Sequence, residues 1–187
     1  MDRRKVLLAL AAAPLVRPFH AHAQPKNMKD IQALQQNWQS FLPAGATVPS
    51  AAEPLKLSKD EWRKRLPNEL AYKVLREEAT ERAGSSPLNE EKRPGIFACA
   101  GCGLPVFTSE MKFESGTGWP SFFTTIPGAF ETKKDFYLIY PRTEYHCKRC
   151  GGHHGHVFDD GPPPTNQRWC NNGAALRFIP KDGAKAA

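Results

Sequence analysis

Five cysteines carry most of the chemistry in this 187-residue chain, and their spacing divides them into four and one. Cys99-Ala100-Gly101-Cys102 and Cys147-Lys148-Arg149-Cys150 are C-x-x-C pairs, each with glycines at its turn (Gly101 and Gly103; Gly151 and Gly152). Such a turn aims two thiolates at one point while backbone amides offset their charge. Two turns complete the four-sulfur tetrahedron that structural zinc prefers. Two disulfides are the rival reading, open to an exported protein. A thioredoxin-like redox pair is a third, but no β-α-β pattern surrounds either motif. Cys170 remains. Its neighbours Arg168, Trp169, Asn171 and Asn172 form a polar setting around one aromatic, unlike an apolar core stretch. If the segment is a strand, Arg168 shares a face with the sulfur and favours its thiolate. His153-His154-Gly155-His156 adds imidazoles that could move protons or hold an oxygen near a thiol. A histidine beside a glycine turn is more often structural, and the cluster alone carries no catalytic claim.

These groups need elements to position them. Residues 24–41 read as weakly helical, with Ile31, Leu34, Trp38, Phe41 and Leu42 at spacings near three and four. The Pro, Gly, Ala and Ser of residues 42–54 have a linker composition. Ser58 followed by Glu61 fits a capping box, which predicts a helix from Lys59 to about Leu66. Asn68 caps a second helix whose apolar stripe is expected at Leu70, Val74 and Leu75. From Gly95 the texture changes to short apolar and aromatic runs, 96–99, 106–108, 136–140, 156–158 and 174–179, punctuated by Gly, Pro and Asp. Such runs predict an antiparallel sheet structure, hence an α+β, mainly β fold with short helices placed first. Seventeen prolines weigh against a helical bundle.

Arg3, Arg4 and Lys5 precede an apolar block, Val6 to Val16, and Ala21-His22-Ala23 supplies a cleavage pattern. Residues 1–23 therefore read as an export signal cut before Gln24, and the Arg3-Arg4 pair raises the twin-arginine route. A periplasmic or otherwise exported protein is expected. No cysteine precedes Cys99, so no lipid anchor is expected. The formal net charge of +7 falls to +4 once Arg3, Arg4, Lys5, Arg17 and Asp2 leave with the signal. That value gives little reason to posit nucleic-acid binding. No apolar run reaches the ~18 residues a spanning helix needs.

The sequence resembles the methionine-R-sulfoxide reductases, type B, over about residues 57–180. The resemblance rests on Thr80-Glu81-Arg82, on residues 95–102 (GIFACAGC), 115–122 (SGTGWPSF) and 155–162 (GHVFDDGP), and on 168–178 (RWCNNGAALRF). It implies two antiparallel sheets forming an open barrel-like core with a zinc clasp of Cys99, Cys102, Cys147 and Cys150. Residues 24–56 become a helical and linker extension, and 181–187 a tail. Cys170 is the implied nucleophile on a sulfoxide sulfur. His153, His156 and Asn172 are implied to assist, with Trp119, Phe158 and Arg168 as substrate contacts. A sulfenic acid on Cys170 would follow, the reversible rung of cysteine oxidation. Many relatives place a resolving cysteine where this chain has Thr117. An external thiol, thioredoxin-like, glutaredoxin-like or small, is then the expected reductant, acting on a monomer. His154 stands where the family usually shows a Leu or another non-ionisable residue. A non-catalytic zinc-ribbon binding module is the competing reading, and it leaves Cys170, the histidines and Trp119 unexplained.

Overall fold

The computed structural model describes residues 25–135 and 142–183. The expected export signal (residues 1–23), the apolar run 136–140 and the last residues of the tail, 184–187, lie outside them. Three helices precede the strands, as expected. Asn27 and Asp30 form a reciprocal capping box on α1 (Met28–Gln36), which a 3-10 turn, Trp38–Phe41, follows. Ser58 and Glu61 do the same for α2 (Lys59–Arg65), and the Asn68 side chain caps α3 (Glu69–Glu77). Each cap satisfies amides that a helix start otherwise leaves unpaired. The stripe of α3 differs from expectation: Ala71, Tyr72, Val74 and Leu75 are buried, whereas Leu70 is 42% exposed. Asn68 as cap fixes the helix phase, and in that phase Leu70 points outward.

Nine strands follow among the described residues: β1 (Gly95–Cys99), β2 (Pro105–Thr108), β3 (Lys112–Phe113), β4 (Ser121–Phe122), β5 (Phe130–Asp135), β6 (Arg142–Cys147), β7 (His153–Phe158), β8 (Arg168–Asn171) and β9 (Leu176–Pro180). They make two antiparallel sheets, ordered β2-β1-β9 and β3-β4-β8-β7-β6-β5. Neither closes into a barrel. β1 is buried along its whole length because it is the central strand of its sheet. Between the sheets Phe107 stacks on Phe122 with centroids 3.8 Å apart, and Phe97 meets Phe122 edge-on at 5.1 Å.

The segment with linker composition is docked. Leu42, Ala51, Leu55 and Leu57 pack on the core, and the Leu55 amide donates to the Arg149 carbonyl at 2.7 Å. Ahead of it, Ile31 is 1% exposed, and the Gln35 side-chain amide donates to the Thr124 hydroxyl at 2.8 Å. Ile31→Ala should therefore cost about 2–5 kcal/mol in denaturant unfolding, while Leu70→Ala should stay within about 0.5 kcal/mol. Equal effects would show that the extension is not part of the core.

Candidate active site

Cross-strand partners in an antiparallel sheet share a face. The register pairs Glu144 with His156, His156 with Cys170, and Cys170 with Ser121, so these four form one row across β6, β7, β8 and β4. Arg168 and Phe158, themselves paired, stand beside the row on the same face. His153 and His156 are three residues apart and would face opposite ways in a regular strand. A β-bulge between Tyr145 and His146, with His154 as the extra residue, brings them to one side. Their rings lie 5.6 Å apart. Gly155 permits the strand approach: a Cβ there would collide with the Cys170 carbonyl.

His154 turns the other way, into the core against Phe130 and Tyr145, with Nδ1 3.1 Å from the Asn171 side-chain oxygen. Burial lowers its pKa to about 3, so it stays neutral. The Tyr145 hydroxyl shares its one proton between that oxygen (2.9 Å) and the Cys170 carbonyl (3.1 Å). The backbone under the thiol is thus tied from the core side.

Cys170 itself is partly exposed. Burial pushes its thiol above the ordinary value, outweighing the Arg168 charge and a hydrogen bond from the Thr117 hydroxyl. The expected activation by Arg168 is present but burial outweighs it, and Arg168 is also bidentate to Asp160 at 2.7 and 2.9 Å. Its guanidinium also lies 4.3 Å over the Phe158 ring. Arg168 and Phe158 form a wall rather than a free cationic hand. A hydroxyl chain backs Thr117: Ser115 lies 2.9 Å from it and 2.7 Å from Ser121.

His153 is buried, and burial brings its pKa down to about 4 despite the opposing Glu144 charge. Burial also acts on Glu144, upward, but Lys133 together with His146 and His153 holds its carboxyl below the usual range. Asn172 does not end beside the sulfur with free groups. Its amide nitrogen donates to the His154 carbonyl (3.0 Å) and its oxygen accepts from the Glu81 amide (2.9 Å).

Glu81 was not singled out from sequence beyond its place in a motif, yet it organises this corner. Its buried carboxylate accepts from the amides of Gly173 (2.6 Å) and Ala174 (2.8 Å), which follow Asn172. Its carbonyl accepts from the Trp119 indole at 3.1 Å. The indole is thereby held two residues before Ser121, the β-partner of Cys170.

The four remaining cysteines are buried and free. Cys99 and Cys150 sulfurs are 3.7 Å apart, Cys102 and Cys147 3.5 Å, and all four lie within 4.8 Å of one another. A disulfide needs about 2.05 Å. Zinc–sulfur bonds of about 2.3 Å give tetrahedron edges of about 3.8 Å, so the donors fit the metal. Guanidinium groups surround them, each donating to a backbone carbonyl: Arg65 to that of Gly101 (2.6 Å), Arg76 to that of Cys150 (2.9 Å) and Arg149 to that of Cys102 (3.0 Å). That positive collar suits four thiolates around a divalent ion.

Residues 68–180 match the family described as the SelR domain. Over 158 residues the chain is 40% identical to the chloroplastic peptide methionine sulfoxide reductase B1 of Arabidopsis thaliana, covering 83% of this chain and 78% of that one. It is 44% identical over 136 residues to the peptide methionine sulfoxide reductase MsrB of Methanosarcina barkeri, covering 72% and 95%. It is also 44% identical over 146 residues to the mitochondrial methionine-R-sulfoxide reductase B3 of Mus musculus, covering 78% and 57%.

The rate of Cys170 alkylation by iodoacetamide should rise with pH through an inflection above the ordinary thiol value of about 8.5. Thr117→Val should move it higher still, since the hydroxyl stabilises the thiolate. An inflection near neutrality would contradict this environment.

Proposed function

The chain belongs to the methionine-R-sulfoxide reductase B family, and from that membership we propose how its residues act as a peptide-methionine (R)-S-oxide reductase. The observation that carries the reading is the register row placing Cys170 between His156 and Ser121, with Trp119 pinned beside it. A flat indole suits the soft, polarisable S-methyl group of the substrate.

Cys170 reacts from its thiol form. Its sulfur attacks, the S–O bond of the sulfoxide breaks, and a new S–O bond forms on Cys170. The thiol proton ends on the transferred oxygen, so methionine and a Cys170 sulfenic acid are the products and no hydride or metal electron is needed. Two imidazoles suit this relocation: His156, the cross-strand partner of Cys170, and His153 behind it, which burial keeps neutral, can accept and return a proton. The Glu144 carboxylate lies against His153 Nδ1 and its charge opposes the effect of burial on that ring. Asn172 acts through the backbone, by fixing the turn after Cys170. Two external thiols then reset the enzyme, yielding a disulfide, water and the Cys170 thiol.

The other cysteines support this assignment of an external reductant. Cys99, Cys102, Cys147 and Cys150 converge on one another, and Thr117 stands against the nucleophile. One turnover without reductant should leave a sulfenic acid at Cys170 that dimedone traps, with one methionine formed per chain. Cys170→Ser should lose turnover by several orders of magnitude, and Thr117→Cys should convert the trapped species into an internal disulfide. A wild-type disulfide between Cys170 and any of the four others during turnover would overturn the scheme.

We also assign one structural zinc to the four-cysteine cluster. When bound, the ion neutralises thiolates that could not all ionise together and cross-links the two sheets. Metal analysis should give one zinc per chain, retained in Cys170→Ser. Cys99→Ser should lose the metal and unfold, since such sites contribute folding free energy on the order of 10 kcal/mol. Two disulfides and no metal in the purified protein would contradict the assignment.

A further inference from the structure

A second group of metal-capable side chains lies apart from the cysteines. Glu144, His146 and His153 each present one donor atom, and the three atoms lie within 4.8 Å of one another. Glu144 Oε1 is 2.5 Å from His153 Nδ1 and 3.0 Å from His146 Nε2, yet neither contact is aligned as a hydrogen bond. His153 Nε2 has no hydrogen-bond partner either. Two imidazole nitrogens thus converge on one carboxylate oxygen that they do not properly satisfy.

The tautomer of His146 adds a separate indication. Its Nδ1 lies 3.3 Å from the Gly151 carbonyl oxygen, an acceptor that suits an N–H at that position, and this turns Nε2 toward Glu144. That nitrogen and Glu144 Oε1 need a proton or a metal cation between them. Metal-binding histidines commonly have this arrangement, with the far ring N–H held by a backbone carbonyl. Lys133 occupies the other carboxylate oxygen, Oε2, at 3.1 Å, and leaves Oε1 to the histidines.

We propose that Glu144, His146 and His153 form a second metal site, taking a divalent cation of the zinc, nickel or cobalt type, and that its occupation blocks turnover. Two imidazoles and one carboxylate are a set that such ions accept, whereas calcium and magnesium need more oxygen donors. Bonds of about 2.0–2.2 Å place tetrahedral donors about 3.3 Å apart, so the side chains need part by under about 1 Å. Occupation takes the Nδ1 lone pair of His153 and fixes its ring away from proton transfer. The inhibition rests on the proposed role of His153, but the binding does not.

Calorimetric titration of the zinc-loaded protein with Ni2+ should show one equivalent bound by the wild type and by Cys170→Ser. His146→Gln should bind at least about tenfold more weakly while keeping its structural zinc and its basal turnover. Ring-nitrogen NMR of the wild type supplies a reading that needs no variant: Ni2+ should broaden His146 and His153 first. No uptake, equal uptake by His146→Gln, or loss of uptake in Cys170→Ser would overturn the site. Uptake confirmed at His146 and His153 but without inhibition would overturn the blocking role, and would count against proton transfer through His153 separately.

Discussion

Four sulfurs drawn from two sheets meet within 4.8 Å, and the position of every other functional group depends on that meeting. Cys99 ends β1 and Cys102 lies in the turn after it, whereas Cys147 ends β6 and Cys150 precedes β7. Only Gly151 and Gly152 separate Cys150 from His153, so fixing the second pair fixes the start of the strand that carries the histidines. β7 then sets β8 by register, and β8 carries Cys170. The helices serve the same junction. Trp62 and Leu75 pack against Gly101, and Leu75 also closes over Gly152. Arg65 and Arg76 hold the carbonyls of the two turns.

At the far end of this chain of constraints the thiol and two of the histidines are uncharged at rest. The thiol is held above its ordinary pKa, and His153 and His154 are held well below theirs, in each case chiefly by burial. A protonated thiol oxidises slowly, which suits an enzyme that meets oxidants without a resolving cysteine at position 117. In the proposed reaction the thiol becomes effective only when a sulfoxide oxygen is present to receive its proton. Burial therefore both lowers reactivity in the empty site and supplies the water-poor setting in which the proton can be relocated.

Much of this was legible locally. The caps at Ser58 and Asn68, the two C-x-x-C turns and the odd Cys170 depend on residues within a few positions of one another. What escaped depends on distant partners. β5, an edge strand, and β6 beside it are charged, and their sequences, FETKKD and RTEYHC, carry no apolar run. The bulge that aligns His153 with His156 shows only in the pairing with β6. Glu81 reads as an ordinary surface acid until residues 173 and 174 fold back over it. The docking of residues 42–54 was hidden because their composition is that of a linker, and only the tertiary packing of Leu42 and Ala51 reveals otherwise.

The central claim is that this fold builds a stereoselective sulfoxide reductase around Cys170. It is tested most directly by initial rates on the separated R and S epimers of a methionine sulfoxide peptide, with dithiothreitol as electron source. Turnover of the R epimer alone, with a thioether product and no consumption of the S epimer at equal enzyme concentration, is the result expected. Turnover of the S epimer at a comparable rate, or of neither epimer by the zinc-loaded protein, would contradict the account.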